Sequence, residues 1–114
     1  MSVPEFINKL KSDAKSISFP ETIATIDKNY VFTPTAFLNG MQVNGADQNT
    51  GSCKIFAFAK LNQLTKLETL SCFGSYYFED VLQNPELTDH QNIRNIIDSG
   101  WEGIHFKNEA LRAR

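Results

Sequence analysis

The chain has 114 residues, of which 41% are hydrophobic and 21% are charged, as in a globular protein rather than a disordered one. Its formal net charge of −2 gives no electrostatic attraction to nucleic acid or to an anionic membrane, and no apolar run approaches the roughly 20 residues that span a bilayer. Two cysteines in this length do not build a disulfide framework, and the N-terminal segment lacks the apolar core of a secretory signal peptide. We therefore expect one globular domain over residues 1–114, cytoplasmic, with reduced thiols, no nucleic-acid partner and no membrane span.

Two helix starts of the same kind open the chain. Ser2-Val3-Pro4-Glu5 and Ser18-Phe19-Pro20-Glu21 each place a serine N-cap three residues before a glutamate, with a proline in the first turn. In the second segment, apolar residues then recur at helical spacing: Phe19, Ile23, Ile26 and Tyr30. The sequence predicts two amphipathic helices joined by a polar connector.

The segment from Val31 to Asn49 changes character. Thr33-Pro34 disfavours a helix, and Asn39-Gly40 and Asn44-Gly45 are turn dipeptides. Met41–Val43 lies between the two turns and alternates in polarity, with Tyr30–Phe32 available as a partner segment. We expect a short irregular β-piece or an ordered loop here.

The densest apolar run follows, and it has no polar side. Its apolar residues surround a helix: Cys53, Ile55, Phe56, Ala57, Phe58, Ala59 and Leu61. A helix that is apolar all round belongs in the interior, so this run predicts the central helix, with N-cap candidates among residues 47–50. Thr65-Lys66-Leu67-Glu68 is a capping box, which predicts the start of a second core helix. That helix is expected to continue as one amphipathic unit through positions spaced by three and four: Leu67, Leu70, Phe73, Gly74, Tyr77 and Val81.

Asn84-Pro85 breaks the chain, and a last helix is predicted after it. Thr88-Asp89-His90-Gln91 has the form of a further capping box, and a stripe follows at His90, Ile93, Ile97 and Trp101. Gly100 is expected to end this helix in a left-handed conformation. Gly103–Phe106 alternates like a short strand that could pair with Met41–Val43, and a short tail remains. The predicted fold is mainly α, α+β at most: about five helices around a central apolar helix, with a small β-hairpin or short antiparallel β-piece.

Cys53 is the first candidate for chemistry. It follows Gly51-Ser52 near a helix start, where the helix dipole lowers the pKa of a thiol, and a cysteine there with a histidine elsewhere is typical of papain-type nucleophiles. Lys54 stands where that signature has Trp or Tyr, and neither His90 nor His105 has a spacing that marks it as the base. The alternative is a small buried core residue, which we favour, so no catalytic residue is assigned.

No cofactor and no metal site is predicted. The two histidines and two isolated cysteines match none of the spaced zinc patterns, and neither a Walker A motif nor a G-x-G-x-x-G loop is present. Cys72, next to Phe73, is expected to pack in the core.

Tyr76, Tyr77 and Trp101 are the candidates for a ligand or partner face. Each carries one polar atom on a large apolar ring, a combination that is common in pockets and interfaces, although packing explains most aromatics in a small core. Adjacent residues on a helix cannot both face the interior fully, so one of the two tyrosines is expected to be exposed.

Five blocks of the chain resemble the HopJ type III effector family, and together they cover most of the domain: TPTAFLNG (33–40), NTGSCKIFAFAKL (49–61), ETLSCFGSYYFEDVL (68–82), TDHQNIRNII (88–97) and GWEGIHF (100–106). The resemblance implies a bacterial protein of about this length. The family name implies delivery into a host cell by a type III secretion system, as a virulence factor, but it transfers no activity and no catalytic residue.

Three function classes follow, and the sequence does not separate the first from the third, a stand-alone structural helper or assembly subunit. The first is a small module that binds an unknown protein or small ligand through an exposed aromatic face, with both cysteines buried. The second is a cysteine-dependent hydrolase or transferase with Cys53 as nucleophile and His90 or His105 as base. The first leads, so the prediction leans away from an enzyme, and the residues indicate no oligomeric state.

Overall fold

The computed structural model describes residues 1–114 and consists of helices with two small antiparallel sheets. The five α-helices are α1 (Val3–Ser12), α2 (Phe19–Asn29), α3 (Thr50–Leu61), α4 (Lys66–Ser71) and α5 (Gln91–Ser99). Short 3-10 helices at Ala14–Ser16 and Gly100–Gly103 and a π-helix at Tyr76–Val81 complete the helical part. The strands are β1 (Tyr30–Phe32), β2 (Phe37–Asn39), β3 (Gln42–Asn44), β4 (Ile104–Phe106) and β5 (Leu111–Ala113). The predicted fold class is confirmed, and no helix combines the length and the apolar character needed to cross a membrane.

Helix α3 is the central helix that the sequence predicts. Ile55, Phe56, Phe58 and Ala59 have no exposed surface, and one core cluster of 22 buried residues contains them all. A helix without a polar side can satisfy its side chains only in the interior, which explains the placement. Leu61 differs from the prediction because it lies at the end of the helix, where its side chain is 56% exposed.

The strand pairing differs from the prediction. Met41–Val43 was expected to pair with Tyr30–Phe32 or with Gly103–Phe106, but β3 pairs with β2, and β4 pairs with the other side of β2. The reason is the turn at Asn39-Gly40: Gly40 has a φ of +61°, which allows β3 to fold straight back onto β2. β1 pairs with β5, in the segment for which the sequence predicts only a short tail.

The helix predicted from Thr65 through Val81 is not continuous. α4 ends at Ser71, Gly74 has a φ of +59°, and the π-helix begins at Tyr76. A Cβ on Gly74 would lie 2.9 Å from the backbone nitrogen of Phe19, so the chain turns where α2 begins and only glycine fits. Leu67, predicted on the buried face, is 61% exposed on α4.

Two of the predicted capping boxes form in full, at Ser2/Glu5 and Thr65/Glu68. Ser18 caps α2, but the Glu21 carboxylate pairs with Lys9 Nζ at 2.7 Å instead of reaching back to the N-cap. The box predicted at Thr88 is wrong, because α5 begins at Gln91 and its N-cap is His90, with a φ of +51° and no side-chain cap. The Gln91 side chain bonds Asn95 instead.

The caps give a matched pair of substitutions. Thr65→Ala removes the Oγ1 that accepts the backbone N–H of Glu68 at 3.1 Å, so we expect a loss of about 1 kcal/mol in the free energy of unfolding. Thr88→Ala is the control: Thr88 is exposed and caps no helix, so its unfolding midpoint in urea should equal that of the parent chain. Equal midpoints for both variants would contradict the role of Thr65.

Candidate functional site

A cleft of about 480 Å³ lies where the starts of α3 and α5 meet. Its lining joins residues of both helix starts to an aromatic group and to β3: Phe19, Gln42, Asn49, Gly51, Ser52, Phe73, Tyr76, His90, Gln91, Asn92 and Ile93. Small-molecule sites in proteins have volumes of roughly 300–1,000 Å³, so the cleft has room for a small ligand.

Asn44 at the end of β3 holds the two helix starts together. Its Oδ1 accepts hydrogen bonds from Asn49 Nδ2, before α3, at 2.7 Å and from Asn92 Nδ2, in α5, at 3.0 Å. Asn92 Oδ1 accepts in turn from Asn44 Nδ2 at 3.2 Å and from Asn39 Nδ2 at 3.0 Å. Because Asn39, Asn44 and Asn92 are buried, these bonds are shielded from water and fix both helix starts against the β2–β3 hairpin.

Both helix starts leave backbone donors free. Asn49 and His90 are N-caps with a φ of +51°, and neither side chain bonds the first turn of its helix. The backbone N–H groups of Gly51 and Ser52 in α3 make no hydrogen bond within the chain, and in α5 the same holds for Gln91 and Asn92. The first N–H groups of a helix have no partner inside it and lie at the positive end of its dipole. The cleft can therefore donate hydrogen bonds to an acceptor.

Four rings form one wall of the cleft. The ring centroids of Phe73 and Phe19 are 6.3 Å apart, those of Phe19 and Tyr76 are 5.1 Å apart, and those of Tyr76 and His90 are 5.1 Å apart. The position of the Phe19 ring in this wall requires a glycine at residue 51, because a Cβ there would lie 2.7 Å from Phe19 Cζ. The rings, with Phe19 and Tyr76 at 67° to each other, present an aromatic surface beside the free backbone donors.

His90 is held by a carboxylate at the rim. Its Nε2 lies 3.0 Å from Asp80 Oδ2, which the π-helix supplies, and 3.9 Å from Asp89 Oδ2. Asp89 also pairs with Arg94 Nη2 at 2.7 Å, and this hydrogen bond is the main cause of the lowered pKa of Asp89. The nearer partner of the imidazole is therefore Asp80.

Cys53 does not line the cleft, although Ser52 beside it does. Its side chain is 1% exposed, and its Sγ lies 3.9 Å from the carbonyl oxygen of Thr35. Burial raises the pKa of the Cys53 thiol to about 11, and burial likewise raises that of Cys72 to about 12. For Cys53, loss of hydration outweighs the opposing effect of the Thr35 backbone contact, and both thiols are protonated at neutral pH.

Cys53 should accordingly react slowly with iodoacetamide. We expect modification at neutral pH to be much slower in the folded chain than in urea, because the thiolate is the nucleophile and the sulfur is buried. Mass spectrometry of timed samples measures the rate at each cysteine. Fast labelling of Cys53 in the folded chain, with Cys72 unreacted, would instead support a reactive thiol.

The other predicted site residues lie apart from one another. His105 is on the exposed face of the three-stranded sheet, opposite Leu38. Tyr77 is 6% exposed in the core, and Trp101 packs against the core from the 3-10 helix that follows α5. Of the predicted residues, only His90 and Tyr76 meet in the cleft, and Tyr76 is the exposed member of the tyrosine pair, at 41%.

Sequence reasoning missed Ser52, Asp80 and the asparagines that organise the cleft. Asn49 and Asn92 were visible only as residues near helix starts, and no local pattern joins them to Asn44. Asp80 and His90 are separated by the Asn84-Pro85 break, so helical spacing does not connect them.

Comparisons with known proteins give a family and a structural relative. A family profile described as "HopJ type III effector protein" matches residues 3–111. The chain is similar to a protein solved by crystallography as "unknown function protein VPA0580", with 54% sequence identity and a TM-score of 0.98, covering 100% of this chain and 95% of that one. No curated protein matches the chain.

Proposed function

The chain belongs to the HopJ type III effector protein family, and from that premise we propose that it is a small-ligand-binding module whose ligand occupies the cleft between α3 and α5. The family name describes a route of delivery and specifies no chemistry. The observation that carries the proposal is the convergence of two uncapped helix starts and a wall of rings on one cavity.

The lining suggests the chemistry of the ligand. A planar apolar group would lie against Phe19 and Tyr76, since aromatic rings favour offset or edge-to-face contacts at the distances seen here. A carbonyl or carboxylate oxygen on that group would accept hydrogen bonds from the free backbone N–H groups of Gly51, Ser52 and Gln91. The proposed ligand is therefore a small aromatic compound that carries a hydrogen-bond acceptor.

Three probes of equal size test this proposal: benzoate, benzamide and benzamidine. Benzoate and benzamide carry acceptor oxygens, whereas benzamidine is a cation that only donates, so we expect it to bind most weakly. Titration followed by 1H–15N NMR should move the amide signals of Gly51, Ser52 and Gln91 the most. If benzoate and benzamide at millimolar concentration move no amide of the cleft lining, the proposal is wrong.

Substitutions at two exposed residues provide a test of the ring wall and a matched control. Tyr76→Ala removes a ring from the wall and should weaken benzoate binding, while Leu67→Ala, 61% exposed outside the cleft lining, should leave binding unchanged. Equal affinities for the two variants would count against the ring wall as part of the site. The cysteine-dependent alternative stays a prediction, and the labelling of Cys53 described above tests it.

The cellular location of the protein and its export are a separate part of the proposal. The family name suggests type III secretion, so we propose that the folded chain resides in the bacterial cytoplasm and is a candidate for export into a host cell, with a role in virulence. A translocation reporter fused after residue 114 measures delivery. Equal reporter signal with and without a working secretion apparatus would argue against export.

A further inference from the structure

We propose that Ser52 and His90 form an acyl-transfer centre in this cleft, with Asp80 as the positioning residue of His90. The inference rests on the proposed function in one respect, that the cleft admits a small aromatic compound. It adds an activity, cleavage of a small aromatic ester. The nucleophile is the serine next to Cys53, because the serine lines the cleft and the cysteine does not.

The two reacting side chains come from the two helix starts that Asn44 joins. Ser52 is in the first turn of α3, and His90 is the N-cap of α5. Both line the same cavity, and the structure shows no hydrogen bond from the Ser52 hydroxyl, either to His90 or to another group of the chain. A free hydroxyl and an imidazole that share one cavity can act as a serine nucleophile and its base once a bound ester brings them within hydrogen-bond reach.

Asp80 selects the tautomer of His90 that this chemistry needs. The carboxylate oxygen at 3.0 Å from Nε2 accepts a hydrogen bond, so a neutral imidazole keeps its proton on Nε2. The lone pair is then on Nδ1, which has no other partner in the chain and is free to take a proton from a hydroxyl. Asp89 is farther away, at 3.9 Å, and is paired with Arg94.

The reaction balances with water as the only co-reactant. Ser52 Oγ forms a bond to the ester carbonyl carbon while His90 Nδ1 takes the hydroxyl proton. The carbonyl oxygen becomes an oxyanion, which the free backbone N–H groups of the first turn of α3 can stabilise. The bond to the leaving oxygen then breaks, and His90 returns the proton to it. Water hydrolyses the acyl-serine by the same steps, with His90 again as base.

The test uses the full chain with p-nitrophenyl acetate and with a fluorophosphonate probe, followed by peptide mass spectrometry. We expect phosphonylation at Ser52 and steady hydrolysis of the ester. Ser52→Ala should abolish the labelling and lower hydrolysis by roughly 100-fold or more. His90→Asn should do the same, and asparagine tolerates the positive φ at this N-cap. Variants are compared only when their melting temperatures match that of the parent chain.

Controls outside the cleft separate this activity from general surface catalysis. Ser16→Ala and His105→Gln change exposed residues that do not line the cleft, and both should keep full labelling and hydrolysis. For Asp80→Ala, which leaves Nε2 without an acceptor, long-range 1H–15N spectra of the His90 ring should show loss of the Nε2–H preference, together with slower labelling.

The outcomes distinguish this inference from the proposed function. Amide shifts with benzoate but no phosphonylation of Ser52 would overturn the acyl-transfer centre and leave the binding site in place. Hydrolysis that persists unchanged in Ser52→Ala would overturn it as well. An unchanged His90 tautomer in Asp80→Ala would remove Asp80 from the assignment.

Discussion

Phe56→Ala should lower the free energy of unfolding by roughly 3–5 kcal/mol, the usual cost of deleting a fully buried phenylalanine ring. Phe56 has no exposed surface, and its ring centroid lies 5.6 Å from that of Phe73 and 6.1 Å from that of Phe37. It thus joins the central helix both to the chain after α4 and to the three-stranded sheet. Phe73 and Phe37 belong to different parts of the fold, so we expect them not to shift together and fill the cavity that the deleted ring would leave.

Urea denaturation of the parent and variant chains measures the effect. Leu61→Ala on the same helix is the control: Leu61 is 56% exposed, so its loss should change the midpoint little. A double variant with Phe56→Ala and Phe58→Ala should fail to fold. A soluble double variant with a normal melting transition would show that α3 is not the core.

Gly74→Ala should lower the free energy of unfolding by roughly 2–5 kcal/mol, for two reasons that act together. A side chain at a φ of +59° is strained, and the new Cβ would lie 2.9 Å from Phe19 N, 3.0 Å from Ile17 O and 3.1 Å from Ser18 Cα. Those atoms are backbone at the start of α2, so they cannot rotate away as a side chain would. The substitution should also displace Phe19 and weaken probe binding in the cleft.

Gly100→Ala separates the two causes. Gly100 also has a positive φ, +62° with ψ −159°, and nothing lies within 4 Å of its Cβ position, so its loss is the conformational strain of this glycine-favouring region alone, about 1–3 kcal/mol. Denaturation midpoints of both variants, with NMR titration of benzoate, measure stability and binding together. A loss for Gly74→Ala no larger than that for Gly100→Ala would show that the contact with α2 is not tight.

The break at Gly74 matters for the cleft because it reorients the segment that follows. The π-helix after it supplies both Tyr76 and Asp80 to His90, through a ring contact and a hydrogen bond. Wide helical turns of this kind are rare and frequently occur at functional sites. The spacing of apolar residues predicts that α4 continues straight through Gly74. The close contact between Gly74 and the start of α2 depends on the turn that replaces this continuation.

The sequence by itself determined the features that depend on neighbouring residues. The apolar run from Cys53 to Ala59 predicts a buried helix because no side of it is polar, and the structure buries it. The starts at Ser2 and Thr65 are correct because a capping box joins residues only three apart. The same capping-box motif at Thr88 does not start a helix. α5 starts instead after His90, which has a left-handed backbone conformation and no side-chain cap.

The tertiary structure decided which residues meet in the cleft, because most of its contacts join residues that are far apart in the chain. Asn44 and Asn92 are 48 positions apart, and no spacing rule connects them. Gly74 could be read as one more position of an apolar stripe until α2 packed against it. The access of half-buried Ser52 to the cleft, beside a buried Cys53, depends on which side of α3 faces the core, and a helix that is apolar all round carries no local signal for that choice.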